Sequence, residues 1–168
     1  MQPNAYSRPD DRELLRASLR LLSGRFRPAV LFAGLASGER LQLTDFLGTA
    51  TSSLHQVVVI RGAGLGGRVF AQRRPFLVED YIASEGITHE YDLAVRRERL
   101  TSMAAVPVVV KGTSRAVLYI ASRDSAPMGK TPCARRWRPP PRSPGNSASG
   151  TRWTAGCLLS TRHGPSPP

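Results

Sequence analysis

Cysteine is scarce in this chain and absent from its first 128 residues, because Cys133 and Cys157 both lie in the C-terminal quarter. Two isolated cysteines cannot supply the ligands of a structural zinc site. The sequence also lacks any apolar run long enough to span a bilayer, and its first residues lack the basic-then-apolar plan of a secretory signal. We therefore expect a cytoplasmic protein with no metal site and no membrane partner.

Acidic residues are missing from residues 129–168, which carry 7 of the 24 Lys and Arg and 8 of the 14 Pro. In a shifted reading frame this tail can encode segments with strong helix propensity and mixed charge. We expect a disordered tail that is read out of frame. A genuine Pro-rich basic tail is the alternative, and a nucleic-acid-binding tail is a third reading that lacks interleaved aromatic and basic residues.

An amphipathic helix is predicted after a short N-terminal extension at residues 1–9. Pro9 and two aspartates open this helix, as N-terminal signals do. Its apolar face is predicted to hold Leu14, Leu15, Leu19 and Leu22, and Gly24 ends it.

Residues 10–128 are predicted to form one α+β domain that includes this helix. Apolar runs on either side of residues 37–40 predict an antiparallel hairpin, and residues 55–61 predict a third strand. A short helix and a strand follow, then a helix over residues 87–100 and a final hairpin around residues 111–114. The pattern predicts a central antiparallel sheet with helices on both sides.

Three glycines follow the third strand with the spacing of a dinucleotide-binding turn. They are Gly62, Gly64 and Gly67, and Glu79 stands 17 residues after the first. Pro75 stops the helix early, and hairpins flank the unit, whereas a dinucleotide-binding fold alternates strands and helices. The spacing therefore favours a sharp turn into a short helix that packs close to the sheet. A dinucleotide-binding oxidoreductase is the lesser alternative.

The order of these elements resembles that of a GAF domain. The family's glycine-rich stretch corresponds to Gly62 through Pro75, its V-x-D to Val78–Asp80, and its S-x-x-x-V-P-V strand to Ser102–Val108. More narrowly, residues 87–112 look like GAF regions of actinobacterial transcription regulators. The resemblance implies a sensory module, the truncated remnant of such a regulator, in which ligand occupancy shifts the packing of dimerising terminal helices.

The resemblance also places a ligand between the sheet and the wall formed by residues 80–92. The candidate pocket residues are Arg61, Tyr81, His89, Tyr91 and Tyr119. Arg61 could pair with an anionic ligand, or with Glu79 or Asp80. His89 could serve as an axial ligand or as an ordinary hydrogen-bonded histidine at a helix start, and Tyr119 could line the core or the pocket.

Several chemical groupings are absent and limit the function. Without cysteine, residues 1–128 cannot attach a bilin or perform the cysteine chemistry of methionine-sulfoxide-reducing GAF enzymes. The pattern of cyclic-nucleotide-binding GAF domains is also missing. We expect no enzymatic activity, no required cofactor, a small-molecule ligand, a homodimer, and no specific DNA binding by this chain alone. A ligand-free dimerisation domain is the alternative.

Overall fold

The computed structural model describes residues 9–24 and 30–124. These residues form a six-stranded antiparallel sheet with helices on both faces, which confirms the predicted α+β fold. The predicted tail at residues 129–168, with its proposed change of reading frame, lies outside the described residues. The domain boundaries therefore stay predictions.

In chain order the elements are α1 (Pro9–Ser23), β1 (Val30–Ser37), β2 (Arg40–Leu47), β3 (Val58–Ile60), α2 (Gly64–Gln72), β4 (Phe76–Val78), α3 (Asp92–Arg97), β5 (Ser102–Val110) and β6 (Thr113–Ser122). Both hairpins that the sequence predicted, β1–β2 and β5–β6, are present. They lie side by side in the sheet, whose strand order is β3-β2-β1-β6-β5-β4.

Central strand β1 is covered on both faces, so successive side chains enter two different apolar clusters. Val30 and Phe32 face α2 and α3, whereas Leu31 and Ala33 face α1. This alternation follows from the two-residue period of a strand. The larger cluster, on the side of α2 and α3, contains the candidate site.

Helix α1 packs on the sheet with fewer leucines than the sequence predicted. Leu15, Leu19 and Leu22 are buried, but Leu14 is 65% exposed. Leu15, Leu19 and Leu22 are spaced by four and three residues, which places them on one face of the helix. Leu14 is adjacent to Leu15 and is therefore rotated from it by about 100° around the helix axis. The prediction that Leu14 shares the buried face is therefore wrong.

A buried carboxylate fixes α1 to strand β2. Asp45 is only 6% exposed and lies 2.5 Å from Nε of Arg16 and 3.5 Å from Nε of Arg12, both on α1. Burial alone would raise the pKa of Asp45. The hydrogen bonds from Arg16 and Thr44, with the charge of Arg12, outweigh that effect and lower the pKa.

The helix predicted over residues 87–100 is present only as α3 (Asp92–Arg97). Before it, the His89 ring lies 3.0 Å from the Ser84 carbonyl oxygen, which belongs to an irregular segment. After it, Arg99 adopts a left-handed conformation with φ of 58°, which ends the helix.

The strands on either side of α2 do not form a dinucleotide-binding unit. β3 and β4 lie at opposite edges of an antiparallel sheet, whereas that unit needs neighbouring parallel strands. The oxidoreductase alternative therefore loses its structural basis. In the part of the chain that the structure describes, no helix is long and apolar enough to cross a membrane.

Candidate functional site

A small cavity lies between the sheet and α2, on the side of the larger apolar cluster. The centre of a water molecule can occupy a volume of about 30 Å³ inside it. This is room for about two water molecules. None of its lining residues is charged: they are Phe32, Leu43, Leu54, Val57, Val59, Leu65, Gly66, Tyr81, Tyr91, Val95, Met103 and Tyr119.

Tyr119 places a hydroxyl group in this apolar setting. Its ring stacks on Phe32 of the neighbouring strand, with ring centroids 4.4 Å apart. Tyr119 is 3% exposed, and its Oη has no hydrogen-bond partner among the described residues. Burial raises the pKa of Tyr119, so the phenol keeps its proton at neutral pH.

The glycines of α2 make room for the tyrosines of the site. A Cβ on Gly66 would lie 2.7 Å from Cζ of Tyr119 and closer still to its Oη. A Cβ on Gly64, which has φ of 61°, would lie 2.7 Å from Cδ2 of Tyr91 and 3.4 Å from Oη of Tyr81. The glycine-rich segment therefore packs against three aromatic rings of its own domain.

The other glycines of this segment shape the turn between β3 and α2. Gly62 has φ of 88°, and a Cβ on Gly67 would overlap the Ile60 carbonyl group. Backbone thus approaches backbone closely where the strand passes into the helix. Pro75 stands directly before β4 (Phe76–Val78).

Tyr81 and Tyr91 also line the cavity, and both hydroxyl groups are engaged. Tyr91 Oη accepts a hydrogen bond from the Ile60 backbone N–H at 2.9 Å. Tyr81 is 2% exposed, and its hydroxyl oxygen accepts a hydrogen bond from the Leu65 backbone N–H. Burial, with the charges of nearby carboxylates, raises the pKa of Tyr81.

Arg61 does not line the cavity. Its guanidinium lies 5.1 Å from the centroid of the Phe70 ring, and its Nε is 3.5 Å from a carboxylate oxygen of Glu39. Glu39, rather than the expected Glu79 or Asp80, is its acidic neighbour. Arg61 is thus engaged outside the pocket that the sequence assigned to it.

His89 lies behind the pocket wall rather than in the cavity. Its Nδ1 is 2.8 Å from Asp92, and the edge of its ring meets Tyr81 at a centroid distance of 6.3 Å. The hydrogen bond with Asp92 is the main reason that the pKa of His89 is raised. Among the described residues, no group of three or more His, Cys, Asp or Glu side chains could hold a metal ion.

Glu98 was not identified by the sequence analysis. It is 1% exposed. Its carboxylate accepts hydrogen bonds from the Thr51 hydroxyl, from the backbone N–H groups of Ala50 and Thr51, and from the Arg123 guanidinium. These bonds explain its lowered pKa, since they outweigh the effect of burial. Its partners lie 25 to 48 residues away in sequence, so no local pattern indicates them.

Comparison with known proteins links the chain to a transcription factor. It is 39% identical over 123 residues to the HTH-type transcriptional activator RamA of Corynebacterium glutamicum. The match covers 73% of this chain and 44% of RamA, so the chain spans less than half of that relative. No family model matches the sequence.

Solved structures share the fold at low sequence identity. A mutated NreA protein of Staphylococcus aureus, altered in its nitrate binding site, is 19% identical with a TM-score of 0.57, and the match covers 70% of this chain and 88% of NreA. The GAF domain/HD domain protein of Geobacter sulfurreducens is 18% identical with a TM-score of 0.56, covering 67% and 74%. Likeness at this level establishes the fold alone.

One of these comparisons corrects an expectation. The sequence analysis predicted that the chain is not an enzyme. That prediction is wrong, because the enzyme fRMsr of Staphylococcus aureus has the same fold. The fRMsr structure in complex with substrate is 20% identical with a TM-score of 0.54, covering 66% of this chain and 67% of fRMsr. This fold therefore includes a catalytic protein alongside GAF domains. The described residues of the chain have the GAF fold, and the sequence is related to that of an actinobacterial transcriptional activator.

Proposed function

We propose that the chain is a cytoplasmic sensory module that binds a small molecule and is the truncated remnant of a larger transcription regulator. One observation carries this proposal: the apolar cavity is lined by Tyr119, whose buried hydroxyl group has no partner among the described residues. Small-molecule sites combine an apolar lining with a few polar groups in this way. The relationship to RamA, an HTH-type activator, supports a transcriptional output.

We place the mouth of the cavity between the β2–β3 loop and the start of α3. Of the twelve lining residues, only Val57 and Tyr91 are not fully buried. Tyr91 is held by its bond to Ile60, and the loop is held to α3 because the Ser53 hydroxyl donates to the Ala94 carbonyl at 3.0 Å. A ligand that enters here must shift these two elements relative to each other.

Glu98 connects this mouth to the end of β6. It follows α3 directly and receives hydrogen bonds from the loop residues Ala50 and Thr51. It also pairs with Arg123, which follows β6 and donates a further hydrogen bond to the Gly48 carbonyl at 3.1 Å. A shift at the mouth therefore changes the position of the residues through which the chain leaves the domain.

This coupling can be tested from the exit side, because an energetic link between two sites acts in both directions. Replacing Arg123→Gln removes a charge-assisted bond of Glu98. Loss of the partly exposed Arg123–Glu98 pair should reduce the local stability by about 1 kcal/mol. We therefore expect hydrogen exchange of the Ala50 and Thr51 amides to become about fivefold faster. Arg73→Gln is the matched control, since Arg73 bonds the Gly112 carbonyl at 2.6 Å, away from this network. Equal exchange in both variants would refute the link.

The truncation is a separate part of the proposal. The predicted helical segments in the shifted frame would suit a linker to an output domain, and the chain by itself is not proposed to bind DNA specifically. Sequencing the coding DNA from about codon 120 past the stop tests this. The shifted frame should stay open into a helix-turn-helix, and a frame that closes at once would contradict the truncation.

A ligand-free dimerisation domain is the second candidate, and the small cavity volume favours it. Leu14 and Leu21 are 65% and 56% exposed on α1, where a second copy could pack. We propose a homodimer through this helix, so Leu21→Glu should convert a dimer to a monomer in analytical ultracentrifugation. A wild-type chain that sediments as a monomer would contradict the dimer and leave the sensory proposal standing.

A further inference from the structure

The charge around the cavity is unfavourable for an anionic ligand. None of the lining residues is charged, and the charges of Asp92 and Glu90, which raise the pKa of Tyr81, are negative. The nearby basic groups are already engaged: Arg61 lies beside Glu39 and Phe70, and His89 bonds to Asp92. An ion inside the cavity would lose its water without gaining a counter-charge, which is strongly unfavourable.

One hydroxyl group of the site has no hydrogen-bond partner in the described part of the chain. It is that of Tyr119, whereas the Tyr81 and Tyr91 hydroxyls each accept a hydrogen bond from a backbone N–H, of Leu65 and Ile60 respectively. Because the buried phenol keeps its proton, it offers an O–H donor. A ligand that fits this site must therefore present an acceptor.

The volume sets a limit on size. About 30 Å³ accommodates only a few atoms before a lining side chain has to move. Tyr91 is the half-buried aromatic residue at the mouth, held there by one hydrogen bond to Ile60. A compact ligand can be admitted when this bond opens, whereas a nucleotide-sized ligand would require the wall to be rebuilt.

We infer that the ligand is a compact, uncharged molecule whose carbonyl, ether or hydroxyl oxygen accepts the O–H of Tyr119. This inference rests on the proposed sensory function and adds the chemical class of the ligand.

The experiment uses two probes of similar size, 2-butanone and butyrate, and reads the backbone amide of Gly66 by NMR in the full chain. We expect 2-butanone to shift this signal and butyrate to leave it unchanged. Tyr119→Phe should weaken 2-butanone binding about fivefold, the effect of one net hydrogen bond. Ser18→Ala is the control, because it also removes one hydroxyl group but lies on α1, away from the cavity, and it should leave the affinity unchanged.

The stability of the ligand-free variants supplies a second readout. Tyr119→Phe removes an unpartnered hydroxyl, so its thermal midpoint should equal or exceed that of the wild type. A lower midpoint would show that the hydroxyl is already hydrogen-bonded, for instance to a buried water, and would overturn the inference. Binding of butyrate alone, binding of neither probe, or equal losses in both variants would also overturn it. The hydrogen-exchange experiment on Arg123 tests the sensory function separately, so the two failures can be distinguished.

Discussion

Gly66→Ala is the substitution that most directly tests how the glycine-rich segment works. The added Cβ would lie 2.7 Å from Cζ and 3.0 Å from Cε1 of Tyr119, with Oη nearer than either. The Tyr119 ring cannot move away from the added Cβ, because the Phe32 ring stacks on it with a centroid distance of 4.4 Å. Overpacking of this kind costs about 3 kcal/mol, and the better helix propensity of alanine returns about 1 kcal/mol. The net loss is therefore about 2 kcal/mol.

Thermal unfolding followed by circular dichroism measures this loss. For a domain of this size, about 2 kcal/mol corresponds to a fall in Tm of about 8 °C. Gly24→Ala is the matched control, since its Cβ would meet only the Leu21 carbonyl oxygen, at 3.7 Å, among the residues that the structure describes. Combining Gly66→Ala with Tyr119→Phe should recover about 1 kcal/mol, because the nearest atom is removed. A Gly66→Ala chain as stable as the wild type would refute the reasoning.

Three further predictions concern α1 and the pocket wall. Asp45→Asn should lower the free energy of unfolding by about 1–2 kcal/mol at neutral pH. The pKa of Asp45 is lower in the folded chain than its unfolded value of about 3.9. Its contribution to the free energy of unfolding is therefore complete above about pH 4 and is lost as the pH falls through the folded pKa. The acid unfolding curves of the wild type and Asp45→Asn should converge for this reason. The NMR titration of His89 should give a pKa above 6.5 that falls in Asp92→Asn, and an unchanged value would show that this hydrogen bond is absent in solution. Leu19→Ala should lower the free energy of unfolding in guanidinium by about 3 kcal/mol, and Leu14→Ala by less than about 0.5 kcal/mol, since only Leu19 is buried.

The hairpins could be predicted because strand alternation and turn chemistry are local signals. The ends of α3 could not, since they depend on contacts of His89 with Ser84 and on the left-handed Arg99. Propensity alone extends this helix in both directions, and tertiary contacts decide where it stops.

The site was only partly predictable. Tyr81, Tyr91 and Tyr119 line the cavity, whereas Arg61 and His89 do not, and the ligand-binding role of all five stays a prediction. The apolar wall from β1, β2 and β3 was missed because alternation shows which face of a strand is buried, but not where packing leaves a gap. The glycine spacing was ambiguous for a related reason: close approach of a tyrosine ring and of a phosphate both require a missing side chain.

The most direct test of the sensory account is an NMR titration with 2-butanone that follows the amides of Gly66, at the cavity, and Asp124, at the end of the described domain. The account predicts that both signals shift with the same half-saturation in the wild-type chain, and that Arg123→Gln uncouples Asp124 while Gly66 still responds. A wild-type chain in which Gly66 shifts and Asp124 does not would contradict it.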